Sequence, residues 1–197
     1  MSLKDMMEKY KGNGGGGYFS LKDDNDTAVV RFLYDTVGGD SMEGKDIDAY
    51  VVHQVEIDGK KKYIKCLETG DCPLCKANNK AQLKIFLQLY DYTDDKVKVW
   101  ERGQKFIGFI LGYINKYGSL VERQYDVERH GKKGSTDTTY MMYSRDKDDG
   151  KLADFEKSEL LGKLILVKTK AEMQAMINGE APNVTPRANN QGNTDVF

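Results

Sequence analysis

All three cysteines of the chain, Cys66, Cys72 and Cys75, lie within residues 53–75, HQVEIDGKKKYIKCLETGDCPLC, together with one of its two histidines, His53. Twelve residues separate His53 from Cys66, five separate Cys66 from Cys72, and Cys72-Pro-Leu-Cys75 is a C-x-x-C turn. A tight turn brings two thiolates to one side, where they converge on a single ion. A third thiolate and an imidazole complete a tetrahedron, and three Cys with one His is a usual closed structural zinc set. Pro73 and Gly70 suit the loop such a knuckle needs. The ligands must lose their protons, so metal binding and folding of the segment are coupled.

Other cysteine chemistries fit less well. Three cysteines cannot all pair, and MSLKDMMEKY carries no signal-peptide core, which argues against a disulfide framework. A thioredoxin-like C-x-x-C belongs to a βαβ pattern that the flanks lack. For a cysteine nucleophile the remaining histidine is His130, and no spacing pairs the two. Zinc is the reading that the spacing favours, with free thiols as the alternative.

The 197 residues are 39% hydrophobic and 31% charged, which is the composition of a globular domain. No apolar run approaches the ~20 residues of a membrane span, and a cytoplasmic location is expected. With a net charge of −1, a nucleic-acid partner must be argued from local clusters. The chain lacks G-x-S-x-G, a Walker A loop and H-E-x-x-H. The pairs Asp94-Asp95 and Asp148-Asp149 sit in turn-like sequence, and a closed Cys₃His shell leaves no position for an activated water. A non-enzymatic role follows as the expectation.

The elements that must position these residues read mainly as strands. Residues 1–11 have helical spacing, and the glycines of 12–17 read as a linker. Strands are expected over Tyr18–Leu21, Thr27–Tyr34, Ile47–Ile57, Lys60–Lys65, Leu83–Tyr92, Val97–Trp100, Leu120–His130 and Thr138–Ser144. Asp58-Gly59 is a hairpin signal, Asp35–Asp46 a loop, and residues 76–82 a helical turn. Gln104–Tyr117 carries the apolar stripe Phe106, Ile107, Ile110, Leu111 and Ile114, with Gly118 as its stop. Residues 152–180 suggest two short helices around Leu164–Val167, and Pro182–Phe197 reads as a disordered tail. A helix between the third and fourth of five strands suits an OB-fold, a five-stranded Greek-key barrel. The expected fold is therefore mainly β (α+β): an OB core over residues 18–180, with a zinc subdomain at about 53–80 and short flanking helices. A zinc-ribbon-bearing α+β sheet is the alternative.

Basic and aromatic residues interleave twice. Lys60, Lys61, Lys62, Tyr63 and Lys65 lie within the zinc loop. Trp100, Arg102 and Lys105 are followed by Arg123, Tyr125, Arg129, Lys132, Lys133 and Tyr140. Residues 102–133 hold seven Lys or Arg against three acids. Tyr90, Tyr92 and Trp100 stand beside basic residues on adjacent strands and are candidate stacking rings. Lysines follow phosphates, and each stacked base is worth ~1–3 kcal/mol whatever its sequence. The plainer reading is solvated hairpin faces and packed tyrosines. Lys132 and Lys133, between Gly131 and Gly134, are expected at a mobile loop tip that closes over phosphates.

Several segments taken together carry a resemblance: Ala28-Val-Val-Arg-Phe-Leu33, Val52-His53 with twelve residues to Cys66, Gly59-Lys-Lys-Lys-Tyr-Ile64, and Asp71-Cys-Pro-Leu-Cys75. Over about residues 18–145 the chain resembles the zinc-containing single-stranded DNA-binding (helix-destabilising) proteins of tailed bacteriophages. The resemblance implies an OB-fold with a zinc subdomain, binding single strands without sequence preference in replication, recombination and repair. It implies His53, Cys66, Cys72 and Cys75 as metal ligands, with the Lys60–Lys65 hairpin and the aromatics near Tyr90 and Trp100 close to the strand. The family's basic N-terminal motif and long acidic C-terminal domain have no counterpart here. The tail ending Asp195-Val-Phe197 is similar in kind to the acidic-aromatic tips of bacterial single-strand-binding proteins, and would dock replication or recombination proteins. A zinc-stabilised protein–protein adaptor of a replication or virion assembly is the competing expectation.

Overall fold

A computed structural model describes residues 17–34, 48–135, 137–148, 159–180 and, for the backbone, 184–186. The expected N-terminal helix and linker, the 35–46 loop and the C-terminal tip lie outside these residues, the linker's Gly17 excepted. Among the described residues β1 is Thr27–Phe32, β2 Ala49–Ile57, β3 Lys60–Lys65, β4 Gln82–Asp91 and β5 Lys96–Gly103. After them come β6 at Arg123–His130, β7 at Thr139–Lys147, β8 at Ile165–Leu166 and β9 at Val184–Pro186. The helices are α1 Pro73–Lys76, α2 Lys105–Tyr117 and α3 Lys170–Ile177, and a 3₁₀ turn spans Leu120–Glu122.

Local chemistry explains the connections. Asp58 and Gly59 both take positive φ, 51° and 71°, as the two-residue primed turn of a hairpin requires. Before β1, the Asp26 carboxylate accepts the backbone N–H groups of Lys22 and Asp23 at 2.8 and 2.7 Å, closing the polar turn. α2 buries Ile110 and Ile114 of its expected stripe, and the Gly118 N–H caps it on the Ile114 carbonyl at 2.8 Å. α3 starts with a reciprocal capping box between Thr169 and Glu172.

The strands form one open, mixed sheet ordered β7–β6–β1–β4–β2–β3–β8, with β5 on β4 and β9 on β2. Its pairs are antiparallel except β3 with β8. Within it, β6–β1–β4–β5 follows the 4-1-2-3 order of a Greek key. β4 joins the two halves of the sheet, since its first residues pair with β2 (Gln82 with Val52, Ile85 with Ala49) and its last with β1 (Leu89 with Phe32, Asp91 with Val30). The inner face of β4, Ile85, Leu87 and Leu89, packs with Val30, Phe32, Trp100, Ile110, Tyr125 and Val127. On its outer face Phe86 joins Val52, Tyr63, Val99, Leu160 and Ile165. A third cluster gathers Val55, Ile64, Cys66, Cys72 and Leu74 under Met173 and Met176 of α3.

The structure corrects several expectations. A closed barrel is absent among the described residues, because no backbone ladder joins β5 to β7. Their side chains do meet, with the Trp100 and Tyr140 rings 5.3 Å apart. Tyr18 makes a single bridge to Val99 instead of a strand. The turn expected at 76–82 forms earlier, at 73–76, where Pro73 presets the first helical residue. Ile165–Leu166 is a strand, not a helix flank, because β3 offers these β-formers an open edge. One helix, α3, stands among the described part of 152–180. Val184–Pro186 of the expected disordered tail pairs with Val55–Ile57, an edge left free where β4 diverges from β2. Among the described residues no helix is long and apolar enough to cross a membrane.

Met173 is fully buried against the cysteine loop. Met173→Ala is expected to cost about 2–5 kcal/mol in urea unfolding of the metal-loaded protein. A loss under about 0.5 kcal/mol would show that α3 is not a structural cover of this lobe.

Candidate metal centre

The hairpin and its turn set the first two ligands. With two residues in the turn, His53 stands opposite Ile64, and Cys66 lies two residues further along the same face. The Cys66 N–H continues the pairing to the Val51 carbonyl at 2.8 Å. Twelve intervening residues therefore place imidazole and thiol as diagonal neighbours, and a one-residue slip would turn one of them to the other face. Cys72 and Cys75 arrive on the turn into α1, where the Cys72 N–H donates to the Thr69 carbonyl and the Lys76 N–H to that of Cys72, both at 3.1 Å.

The four ligand atoms lie within 4.8 Å of one another. Cys66 Sγ is 3.9 Å from Cys72 Sγ and 3.8 Å from Cys75 Sγ, while His53 Nε2 is 3.4 and 3.6 Å from Cys72 and Cys75 Sγ. Zinc–ligand lengths of about 2.3 Å to sulfur and 2.0–2.1 Å to nitrogen give a regular tetrahedron edges of about 3.8 Å (S–S) and 3.6 Å (S–N). The four distances match those edges. The cluster can hold a metal ion such as zinc.

The surroundings prepare the ligands. His53 Nδ1 faces the Asn79 carbonyl at 2.9 Å, so that nitrogen carries the proton and leaves Nε2 free for a metal. Burial lowers the His53 pKa, keeping the ring neutral. Asn79 is itself buried, and its amide donates to the Gln54 carbonyl at 2.9 Å, tying the loop to β2. The Glu68 N–H points at Cys66 Sγ at 3.3 Å. Against burial, which opposes ionisation, backbone N–H groups of Cys75 and Leu67 and the neighbouring thiols hold the Cys72 thiol below its usual value. Burial pushes the Cys66 thiol up, and Cys75, also crowded by the other two sulfurs, is pushed up to about 12. Without a cation Cys66 and Cys75 keep their protons. A dication reverses that preference.

The candidate nucleic-acid residues divide into two groups. Lys60, Lys61 and Lys62 are exposed at the hairpin, and Lys105 and Lys132 are exposed as well. Tyr92 is 39% exposed and meets Tyr90 edge-on at 4.9 Å. The Tyr92 hydroxyl accepts from Arg31 at 3.1 Å, and the Tyr90 hydroxyl donates to Asp95. By contrast, Trp100 and Tyr63 are core residues, 1% and 2% exposed, because Phe19, Phe106 and Tyr140 surround one and Phe86 backs the other. Neither presents a face to a base. Arg129 is buried and holds the Gly131 and Lys132 carbonyls. Arg102 stacks 3.8 Å over Tyr140, and Arg123 donates to the Tyr117 carbonyl at 3.1 Å. The 131–134 tip is tethered, with Lys133 3.0 Å from Asp23 and the Gly131 N–H donating to Asp24 at 2.8 Å. A Cβ at Gly131 would sit 2.6 Å from the Asp137 carbonyl, so that glycine serves close packing, not mobility.

Asn79, Met173, Met176 and the Lys170–Asp71 ion pair were not foreseen. They belong to the metal lobe only through tertiary contacts. No family model matches the chain, and no curated protein matches its sequence.

Metal analysis of the purified protein is expected to find one zinc per chain, and Cys72→Ser to lose it. A folded wild type without metal would refute the site. Asn79→Ala removes the amide tie of the carbonyl that orients His53 and is expected to weaken zinc binding roughly 10–100-fold. The metal-bound lobe carries fewer protons than the metal-free one, so affinity rises with pH and the metal leaves on acidification. Calorimetry in buffers of different ionisation heat should show release of at least the Cys66 and Cys75 protons at neutral pH.

Proposed function

We propose that this chain is a non-enzymatic, zinc-stabilised single-stranded DNA-binding protein built on a partly open, OB-type Greek-key barrel. It binds strands without sequence preference and acts in phage-type DNA replication, recombination and repair, in the cytoplasm. The observation that carries the reading is the Lys60–Lys62 run, exposed on a hairpin braced by the Cys₃His cluster. That hairpin stands beside the outer face of β4–β5, the second and third strands of the Greek key. In an OB-fold that face and its bordering loops bind oligonucleotides. The helix α2 between β5 and β6, and the side-chain contact of β5 with β7, support the barrel topology. Tyr92 offers a half-exposed ring near the β4–β5 turn. In this reading the C-terminal tip docks replication or recombination proteins.

Titration with labelled single-stranded and duplex oligonucleotides at two salt concentrations tests the proposal. Tight, salt-sensitive binding to single strands is expected. No binding would return the protein to the adaptor class. Replacing Lys60, Lys61 and Lys62 with Ala should weaken every sequence alike and flatten the log-affinity against log-salt slope by about 2, at ~0.7 per single-strand phosphate. An unchanged slope would remove the hairpin from the interface.

A further inference from the structure

Where the metal-braced hairpin meets the sheet, two lysines share one carboxylate. Glu101 on β5 is paired with Phe86 of β4, and Lys84, two residues before Phe86, shares that outer face. Lys84 Nζ lies 2.9 Å from Glu101 Oε1, and Lys61 of β3 reaches across to Glu101 Oε2 at 3.5 Å. The nearby Tyr63 hydroxyl also favours the ionised carboxylate. Tyr18, 41% exposed, is close enough for the Glu101 charge to raise its pKa, after burial, to about 12.

Burial alone would favour a neutral Glu101, but Lys61 and Lys84 outweigh it and hold the carboxyl below its usual value. The group is therefore an anion at neutral pH. Lys61 and Lys84 both face this carboxylate, and Glu56 stands opposite Lys61 across the β2–β3 hairpin. Ion pairs withdrawn from water return little net stability, so bracing alone is a weak reason for three charges at this seam. A phosphodiester carries the same single negative charge and takes the same ammonium donors.

We propose that Lys61 and Lys84 form a phosphodiester subsite at the seam between the hairpin and β4–β5, and that Glu101 is its built-in competing anion. The proposal rests on the single-strand reading and names a site and an internal competitor within it. A strand phosphate draws Lys61 away from Glu101, and the exposed Tyr18 ring borders the position of the adjoining base. Glu101 lowers affinity for the strand and limits how many phosphates the hairpin neutralises.

The test uses the full-length, zinc-loaded protein and labelled oligo(dT) across 50–200 mM salt. Glu101→Gln should bind more tightly at low salt, with a slope steeper by about 0.7, which is roughly a further 2.6-fold loss across that range. Zinc content and the thermal midpoint confirm that the variant is folded. If it is not, Lys61→Gln at the half-exposed partner carries the test, with a slope shallower by about 0.7 expected. Wild-type binding with an unchanged slope in the folded variant overturns this proposal and leaves the single-strand reading standing. A wild type that binds no oligonucleotide overturns both. Displacement of oligo(dT) by inorganic phosphate beyond that by chloride of equal ionic strength would mark a free-phosphate pocket, and would overturn assignment to a strand.

Discussion

Three thiols and one imidazole brought within 4.8 Å of one another are the constraint on which the metal lobe depends. Ionised, three sulfurs at such distances repel one another. Protonated, they pack as a small cluster, buried at Cys66 and Cys72 and open to solvent at Cys75, with no strong directional bond. Residues 66–81 contain only the four-residue α1 as regular structure, and a single helical turn does not sustain itself in water. A cation held at the centre would supply the missing cross-link between β2, the end of β3 and the α1 turn. From there the order spreads outward. Cys66, Cys72 and Leu74 form the floor on which Met173 and Met176 rest, and the Lys170–Asp71 pair holds the start of α3 over the loop.

β4 carries this order into the rest of the molecule. It is the strand that pairs with both the metal hairpin and the Greek key, and its two faces serve different lobes. Ile85, Leu87 and Leu89 belong to the main core, while Phe86 meets Tyr63 of the hairpin edge-on at 5.8 Å. The position of the Lys60–Lys62 run against the sheet therefore follows from packing at Phe86 and from the charges at Glu101. A flexible tether would leave the lysines unaimed. A metal held by the cluster would stiffen the hairpin root, and β4 sets its direction.

Much of this was legible in the chain. The cysteine spacing, the Asp58-Gly59 turn and the α2 stripe each rest on short-range geometry, and each appears where its chemistry placed it. The outcome differed where a residue's partner came from far along the sequence. Trp100 and Tyr63 stand among basic residues as stacking rings would, but α2 and β7 close over one and the 160–165 segment over the other. Arg129 looked like a phosphate ligand until its hairpin carbonyls came within reach. The second layer around the metal, Asn79 and α3, carries no motif at all. Period-two patterning identifies a strand, but which face is covered depends on elements that local pattern does not connect.

Hydrogen exchange read peptide by peptide, before and after removing the metal with a chelator, tests the central claim most directly. Loss of the metal should abolish protection across residues 50–80 and 170–177, while the Greek-key strands around Val30, Leu87 and Val127 keep theirs. Unchanged protection across 50–80 and 170–177 after complete metal removal would contradict a lobe held together by its metal.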